Sequence, residues 1–71
     1  MKLCSRIRWW RNAAGLTQSD LAKHVGVTSS AVAQWEAEQG TEPTHGHLDS
    51  IAKAAGVTLA EFWRDLPDGV A

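Results

Sequence analysis

The 71-residue chain has no tyrosine, one cysteine and two prolines, and its N-terminus carries no long apolar run. A single cysteine, Cys4, excludes an intramolecular disulfide and favours a reducing compartment. The missing apolar run excludes a signal peptide and a membrane span. We therefore expect a cytoplasmic protein.

The hydrophobic content of 44% and the four tryptophans indicate a chain that folds. Its length suits one small domain and leaves no room for a second. We expect this domain to span residues 1–71, with flexible ends at residues 1–2 and 67–71. Neither an effector-binding domain nor an oligomerisation domain is evident, so we expect no small-molecule effector.

Charge is unevenly distributed along the chain, although the net charge is only −1. Residues 1–35 hold five basic residues against one acidic residue, whereas the remainder holds two basic residues against seven acidic ones. This division predicts a basic half that meets phosphate and an acidic half that faces solvent or a partner.

The first stretch of the chain has the spacing of one helix. Leu3, Ile7, Trp10 and Ala14 recur at intervals of four, three and four, which predicts a buried face on a helix that ends at Gly15. Trp9 lies outside this face. An exposed or interfacial role and packing beneath the N-terminal arm both remain open for it.

Two short helices joined by a glycine turn are predicted between Gly15 and Glu36. Thr17 and Asp20 have the spacing of a capping box, and Gly26 ends the second helix. Thr28 can cap the third helix, whose inner face carries Val32 and Trp35. Its outer face carries short, uncharged side chains rich in hydrogen-bonding groups, which suits close approach to bases in a major groove. This face consists of Ser29, Ser30, Ala33 and Gln34.

The remainder of the chain predicts two more helices. Gly40 is expected to end the third helix, and Thr44 can cap a fourth that closes at Gly56. The buried face of this fourth helix is predicted to hold Leu48, Ile51, Ala52 and Ala55. A capping box of Thr58 and Glu61 begins a fifth helix, with an apolar face of Leu59, Phe62 and Trp63. Without any alternating strand pattern, we expect an all-α fold of five helices around one core.

This sequence resembles the Cro and phage-repressor family of helix-turn-helix domains, which also includes xenobiotic-response-element regulators. The resemblance covers about residues 3–66. It depends on residues at fixed spacing along the chain: Arg11, Gly15 to Gln18, Leu21-Ala22, Val25 to Val27, Val32, Trp35-Glu36, Pro43, Leu48, Ile51-Ala52 and Gly56-Val57. It implies a repressor-like transcriptional regulator that binds double-stranded DNA at an inverted-repeat operator as a homodimer.

The resemblance also implies individual roles. Base edges would be read by Ser29, Ser30 and Gln34, with Gln34 the strongest candidate because a glutamine amide can pair with adenine through two hydrogen bonds. The DNA backbone would be contacted by Thr17, Gln18, Gln39, Thr41 and Thr44. Arg11 and Glu36 would form a structural ion pair. Glu38 and Glu42 depart from the family, which often has basic residues after the reading helix.

Other readings receive less support from the sequence. Trp63 and Leu66 can either complete the core or form the dimer contact. Cys4, His24, His45 and His47 lack the spacing of a zinc site, and no nucleophile stands beside a base, so we expect neither a metal nor another cofactor, and no enzyme. A phage repressor, a restriction-modification controller and an antitoxin all remain open. The alternative function is a helix-turn-helix fold that binds a protein and has little affinity for DNA.

Overall fold

The computed structural model describes residues 2–64 and residue 66, and within these residues it contains five α-helices and no strand. The helices are α1 (Leu3–Ala13), α2 (Gln18–Val25), α3 (Ser29–Glu36), α4 (His45–Ala54) and α5 (Leu59–Phe62). The predicted all-α fold of five helices is therefore confirmed. Of the ends expected to be flexible, Met1 and residues 67–71 lie outside the described residues.

Four of the five helices begin with a threonine that caps them. The hydroxyl oxygens of Thr17, Thr28, Thr44 and Thr58 each accept a hydrogen bond from the backbone N–H three residues later. The predicted capping boxes at Thr17 and Thr58 are both complete, because the acidic side chain three residues on accepts the backbone N–H of the threonine. These caps fix where the helices begin.

One buried position of α1 and the end of α3 differ from the sequence prediction. α1 stops at Ala13, with Gly15 left-handed just beyond it as expected for a terminating glycine, but Ala14 is exposed instead of lying on the buried face. α3 stops at Glu36, because Ala37 adopts an extended conformation, so Gly40 does not end this helix. A Cβ on Gly40 would lie 2.8 Å from the carbonyl carbon of Gln34. Close approach of the loop to α3 therefore explains the glycine at position 40.

The core lies between all five helices and is made of nine buried side chains. They are Ile7, Trp10, Leu21, Ala22, Val32, Trp35, Ile51, Ala52 and Phe62. The predicted core positions of Trp10, Trp35 and Phe62 are thus confirmed. Trp63, in contrast, lies just beyond α5 and stays half-exposed, so it does not belong to the buried face of that helix.

Trp9 occupies a position between the two alternatives. Its side chain is half-buried, and its ring stands edge-on against Trp10 with the ring centroids 4.8 Å apart.

None of the helices within the described residues is long and apolar enough to cross a membrane.

Candidate nucleic-acid interface

Helices α2 and α3 pack against each other around a tight turn. Gly26 adopts a left-handed conformation with φ of +85°, which lets the chain reverse immediately after α2. The N–H groups of Gly26 and Val27 both donate to the carbonyl oxygen of Ala22, at 2.8 and 3.0 Å. Since Leu21, Ala22, Val32 and Trp35 are buried, the outer face of α3 has a fixed orientation.

The outer face of α3 carries the side chains expected to read bases. Ser29, Ser30 and Gln34 are exposed, and Ala33 between them is half-buried. This surface has no charged side chain, so its chemistry is that of hydroxyl and amide groups. Such groups can donate to and accept from base edges at short range.

Four of the five residues expected to contact the DNA backbone fall into two groups. Thr17 and Thr44 are N-caps whose oxygens accept the N–H groups of Asp20 and His47 at 3.0 and 3.2 Å. Because each hydroxyl uses an acceptor site for capping, its O–H remains a donor for a phosphate oxygen. Gln39 and Thr41 are exposed on the loop between α3 and α4.

Gln18 makes a contact that the resemblance did not imply. The resemblance implied that its side chain contacts the DNA backbone. In the structure its Nε2 donates to Oε1 of Glu36 at 3.3 Å, and the side chain is half-buried. Gln18 therefore links the start of α2 to the end of α3.

Arg11 and Glu36 form a two-point contact between α1 and α3. Arg11 Nε donates to Glu36 Oε2 at 2.6 Å, and Arg11 Nη2 donates to Oε1 at 3.0 Å. Arg11 Nη1 also donates to the carbonyl oxygen of Leu16 at 2.8 Å. The Glu36 side chain is 1% exposed and that of Arg11 is 14% exposed. This carboxylate therefore depends on partners within the protein, since water hardly reaches it.

The basic half of the sequence does not become a continuous basic face. Arg6 is buried, and its Nη1 donates to the carbonyl oxygens of Phe62 and Arg64 at 2.7 and 2.6 Å. Arg11 is committed to Glu36, and Lys2 pairs with Glu38. Counting charges along the sequence therefore overstates the free positive charge of this half. Arg6 and Lys2 are engaged by contacts that the sequence does not show, and Arg11 forms the expected ion pair with Glu36.

The acidic loop after α3 is partly neutralised. The ammonium of Lys2 donates to the Glu38 carboxylate, which lowers the pKa of Glu38 and raises the pKa of Lys2. Glu42 is exposed on the same loop. The loop that approaches the end of α3 thus presents carboxylates in place of basic residues.

Trp63 and Leu66, the residues expected at a dimer contact, both lie at the C-terminal end of the described chain. The Trp63 side chain is 47% exposed, and its ring lies under the guanidinium of Arg6 at 5.5 Å from the ring centroid. Leu66 is half-buried against the core.

Sequence reasoning missed Arg6, because its partners are backbone carbonyl oxygens that no residue type reveals.

Arg8 was also missed. Its Nη2 donates to the backbone carbonyl oxygen of Glu36 at 3.1 Å. A signal for it exists in the sequence: Arg8 and Arg11 are three residues apart, so they lie on the same side of α1.

With this geometry established, comparison with known proteins identifies the class. A helix-turn-helix family model matches residues 7–62, and the chain belongs to this family. No curated protein matches the chain in sequence.

Three solved structures show the same fold. The solution structure of the DNA-binding domain of the P22 c2 repressor is 34% identical with a TM-score of 0.74, and the match covers 86% of this chain and 80% of that one. The crystal structure of the P22 c2 repressor with a synthetic operator is 33% identical with a TM-score of 0.71, covering 87% and 94%. The SinR protein/SinI protein complex is 22% identical with a TM-score of 0.76, covering 94% and 69%. The family and the two repressor structures support a DNA-binding regulator.

Proposed function

We propose that this protein is a sequence-specific transcriptional regulator that reads the major groove of double-stranded DNA with α3. The observation that carries the proposal is the uncharged outer face of α3, held in place by Val32 and Trp35 on the buried side. The similar P22 c2 repressor structure contains an operator, which supports the same class of ligand here. A major groove is wide enough to admit one such helix.

Gln34 is the residue expected to carry most of the sequence information. Its exposed amide can donate to and accept from adenine at the same time, whereas the hydroxyls of Ser29 and Ser30 discriminate less. Replacing Gln34 with Ala is expected to cost about 1–3 kcal/mol on the preferred site and almost nothing on unrelated duplex.

Gln39→Ala is the matched control, because it removes the same side chain from the proposed phosphate-contacting loop. Gln39→Ala should lower the affinity for the preferred site and for unrelated duplex by a similar factor, and so should Thr41→Ala. Binding is measured by fluorescence anisotropy on each duplex at fixed salt. Equal losses for Gln34→Ala on both duplexes would contradict its role as a base reader.

The acidic loop gives an independent check on how the protein lies on DNA. If Glu38 and Glu42 face phosphate, changing both to Gln is expected to raise the affinity for any duplex at low salt, where charge repulsion is least screened. Unchanged affinity at low salt would place these two carboxylates away from the DNA.

Binding as a homodimer to an inverted repeat is the second part of the proposal. One α3 helix covers only a few base pairs, whereas a two-fold dimer doubles the site with half-sites about 34–36 Å apart. Trp63 and Leu66 offer apolar surface just beyond α5, a helix that packs chiefly against α4. Most homodimers have two-fold symmetry, in which the same surface patch of each subunit forms the interface.

Sedimentation of the wild type and of Trp63→Ala and Leu66→Ala tests this arrangement. Both variants are expected to weaken dimer formation and operator affinity together, while circular dichroism shows that they fold. Leu16→Ala, which removes another half-buried leucine, is the control and should leave association unchanged. A wild type that stays monomeric when free and on its operator would refute the dimer.

A protein-binding role is the second candidate, and the acidic loop at the end of α3 favours it. A salt titration of binding to random duplex separates the two functions, because a protein that contacts phosphate loses affinity steeply as salt rises. Absence of duplex binding at low salt would favour the protein-binding role.

A further inference from the structure

The Glu36 carboxylate is shared by two guanidinium groups. Arg11 hydrogen-bonds both of its oxygens, and Gln18 donates to one of them. Arg8 Nε lies 3.6 Å from Glu36 Oε1, which is an ion-pair separation longer than a hydrogen bond. Two positive charges therefore face one negative charge, and the cluster at the end of α3 keeps an excess positive charge.

Arg8 holds this excess charge at a defined place. Its Nη2 donates to the backbone carbonyl oxygen of Glu36, the last residue of α3. Its side chain is nevertheless 52% exposed. A guanidinium has five N–H donors in a planar fork, so a group anchored through one donor can offer others to a ligand from solvent.

The other cations near this end of the protein are engaged or buried. Lys2 pairs with Glu38, Arg11 is nearly buried against Glu36, and Arg6 is buried. Within the described residues, Arg8 combines a fixed position at the end of the proposed reading helix with an exposed guanidinium. An arginine fork fits two oxygens of one phosphate, which a lysine ammonium does not match in geometry.

We infer that Arg8 binds one backbone phosphate of duplex DNA beside the C-terminal end of α3. The inference rests on the proposed DNA binding and adds a contact that lies on α1, outside the helix-turn-helix unit. It also gives the positive charge that the acidic loop after α3 does not supply.

The test compares Arg8→Gln with Lys53→Gln, since each change removes one positive charge. Lys53 pairs with Asp49 at 3.1 Å in the last turn of α4, about 13 Å along the helix from the proposed phosphate contact at Thr44. Affinities for a selected operator and for unrelated duplex are measured over a series of salt concentrations. Thermal melts monitored by circular dichroism establish that each variant is folded.

Arg8→Gln is expected to lower the affinity for the operator and for unrelated duplex by the same factor. It should also reduce the slope of log affinity against log salt by about 0.9, the value for one phosphate. This slope change alone corresponds to about eightfold in affinity over a tenfold range of salt. Lys53→Gln should keep the wild-type slope. Arg8→Lys should keep the slope as well but bind more weakly, because it retains the charge without the fork.

A second measurement does not depend on the variants. The Nε–H resonance of Arg8 in the wild-type protein is expected to shift on titration with duplex DNA. Suppose that the wild type binds duplex DNA. If Arg8→Gln and Lys53→Gln then change affinity and salt dependence alike, or if the Arg8 resonance does not move, the inference is overturned and the proposed function stands. A wild type without duplex affinity at low salt would overturn both.

Discussion

Removing Glu36 would test the contact that fixes α1 against α3. The Glu36→Ala change deletes the acceptor of two Arg11 hydrogen bonds and of one from Gln18. The Arg11 guanidinium, only 14% exposed, would keep its bond to the Leu16 carbonyl oxygen but lose its counter-charge. A nearly buried charge without a partner destabilises a protein strongly.

The magnitude follows from this burial. Breaking a buried ion pair costs about 3–5 kcal/mol, and a domain of this length has a total stability of about 4–11 kcal/mol. We therefore expect Glu36→Ala to remove a large part of the free energy of unfolding. Arg11→Ala should cost less, toward 3 kcal/mol, because Arg8 lies 3.6 Å from the carboxylate and can partly replace the lost partner.

The assay is urea unfolding at 25 °C followed by tryptophan fluorescence, since Trp10 and Trp35 are buried and report on the core. Urea is preferred to guanidinium chloride because its lack of charge leaves the ion pair unscreened. The double variant Arg11→Ala/Glu36→Ala should lose less than the sum of the single variants, with a coupling of about 0.5–3 kcal/mol. Additive losses would refute the reasoning.

Three further predictions concern the elements around this contact. Gly40→Ala should destabilise by about 1–3 kcal/mol, because its Cβ would clash with the carbonyl of Gln34; an unchanged urea midpoint would contradict this. Thr28→Ala should cost about 1 kcal/mol by uncapping α3, whereas Thr28→Ser should keep most of the stability in the same assay. The backbone N–H and the hydroxyl of Thr17 lower the pKa of Asp20, so its stabilisation is present above the unfolded pKa of about 3.9 and is lost as pH falls through the lower folded pKa. As pH falls through this range, the free energy of unfolding should therefore drop less in Asp20→Asn than in the wild type. Identical pH dependences of the two proteins would rule out a contribution from the Asp20 carboxylate.

Local signals in the sequence predicted the starts of the helices well. Thr17 and Thr58 each stand three residues before an acid, and this spacing alone is enough for the capping boxes that form. The spacing of Val32 and Trp35 likewise predicted which side of α3 is buried. These features depend on neighbours along the chain, so one sequence is enough to find them.

Features that depend on distant parts of the chain were not predictable in this way. Gly40 was interpreted as a helix end, although it is required by the approach of a loop to Gln34. Arg6 and Lys2 counted as free positive charge, although one binds carbonyl oxygens at the end of α5 and the other pairs with Glu38. Composition cannot show such partners, because they meet only after the helices pack.

Selection of bound sites from a library of random duplex DNA tests the central claim most directly. The wild-type protein should enrich one sequence family, arranged as an inverted repeat whose half-sites are about one helical turn apart. Repetition with Gln34→Ala should relax the preference at one position of each half-site. A wild-type protein that enriches no sequence, under low-salt conditions in which it is folded, would contradict the account.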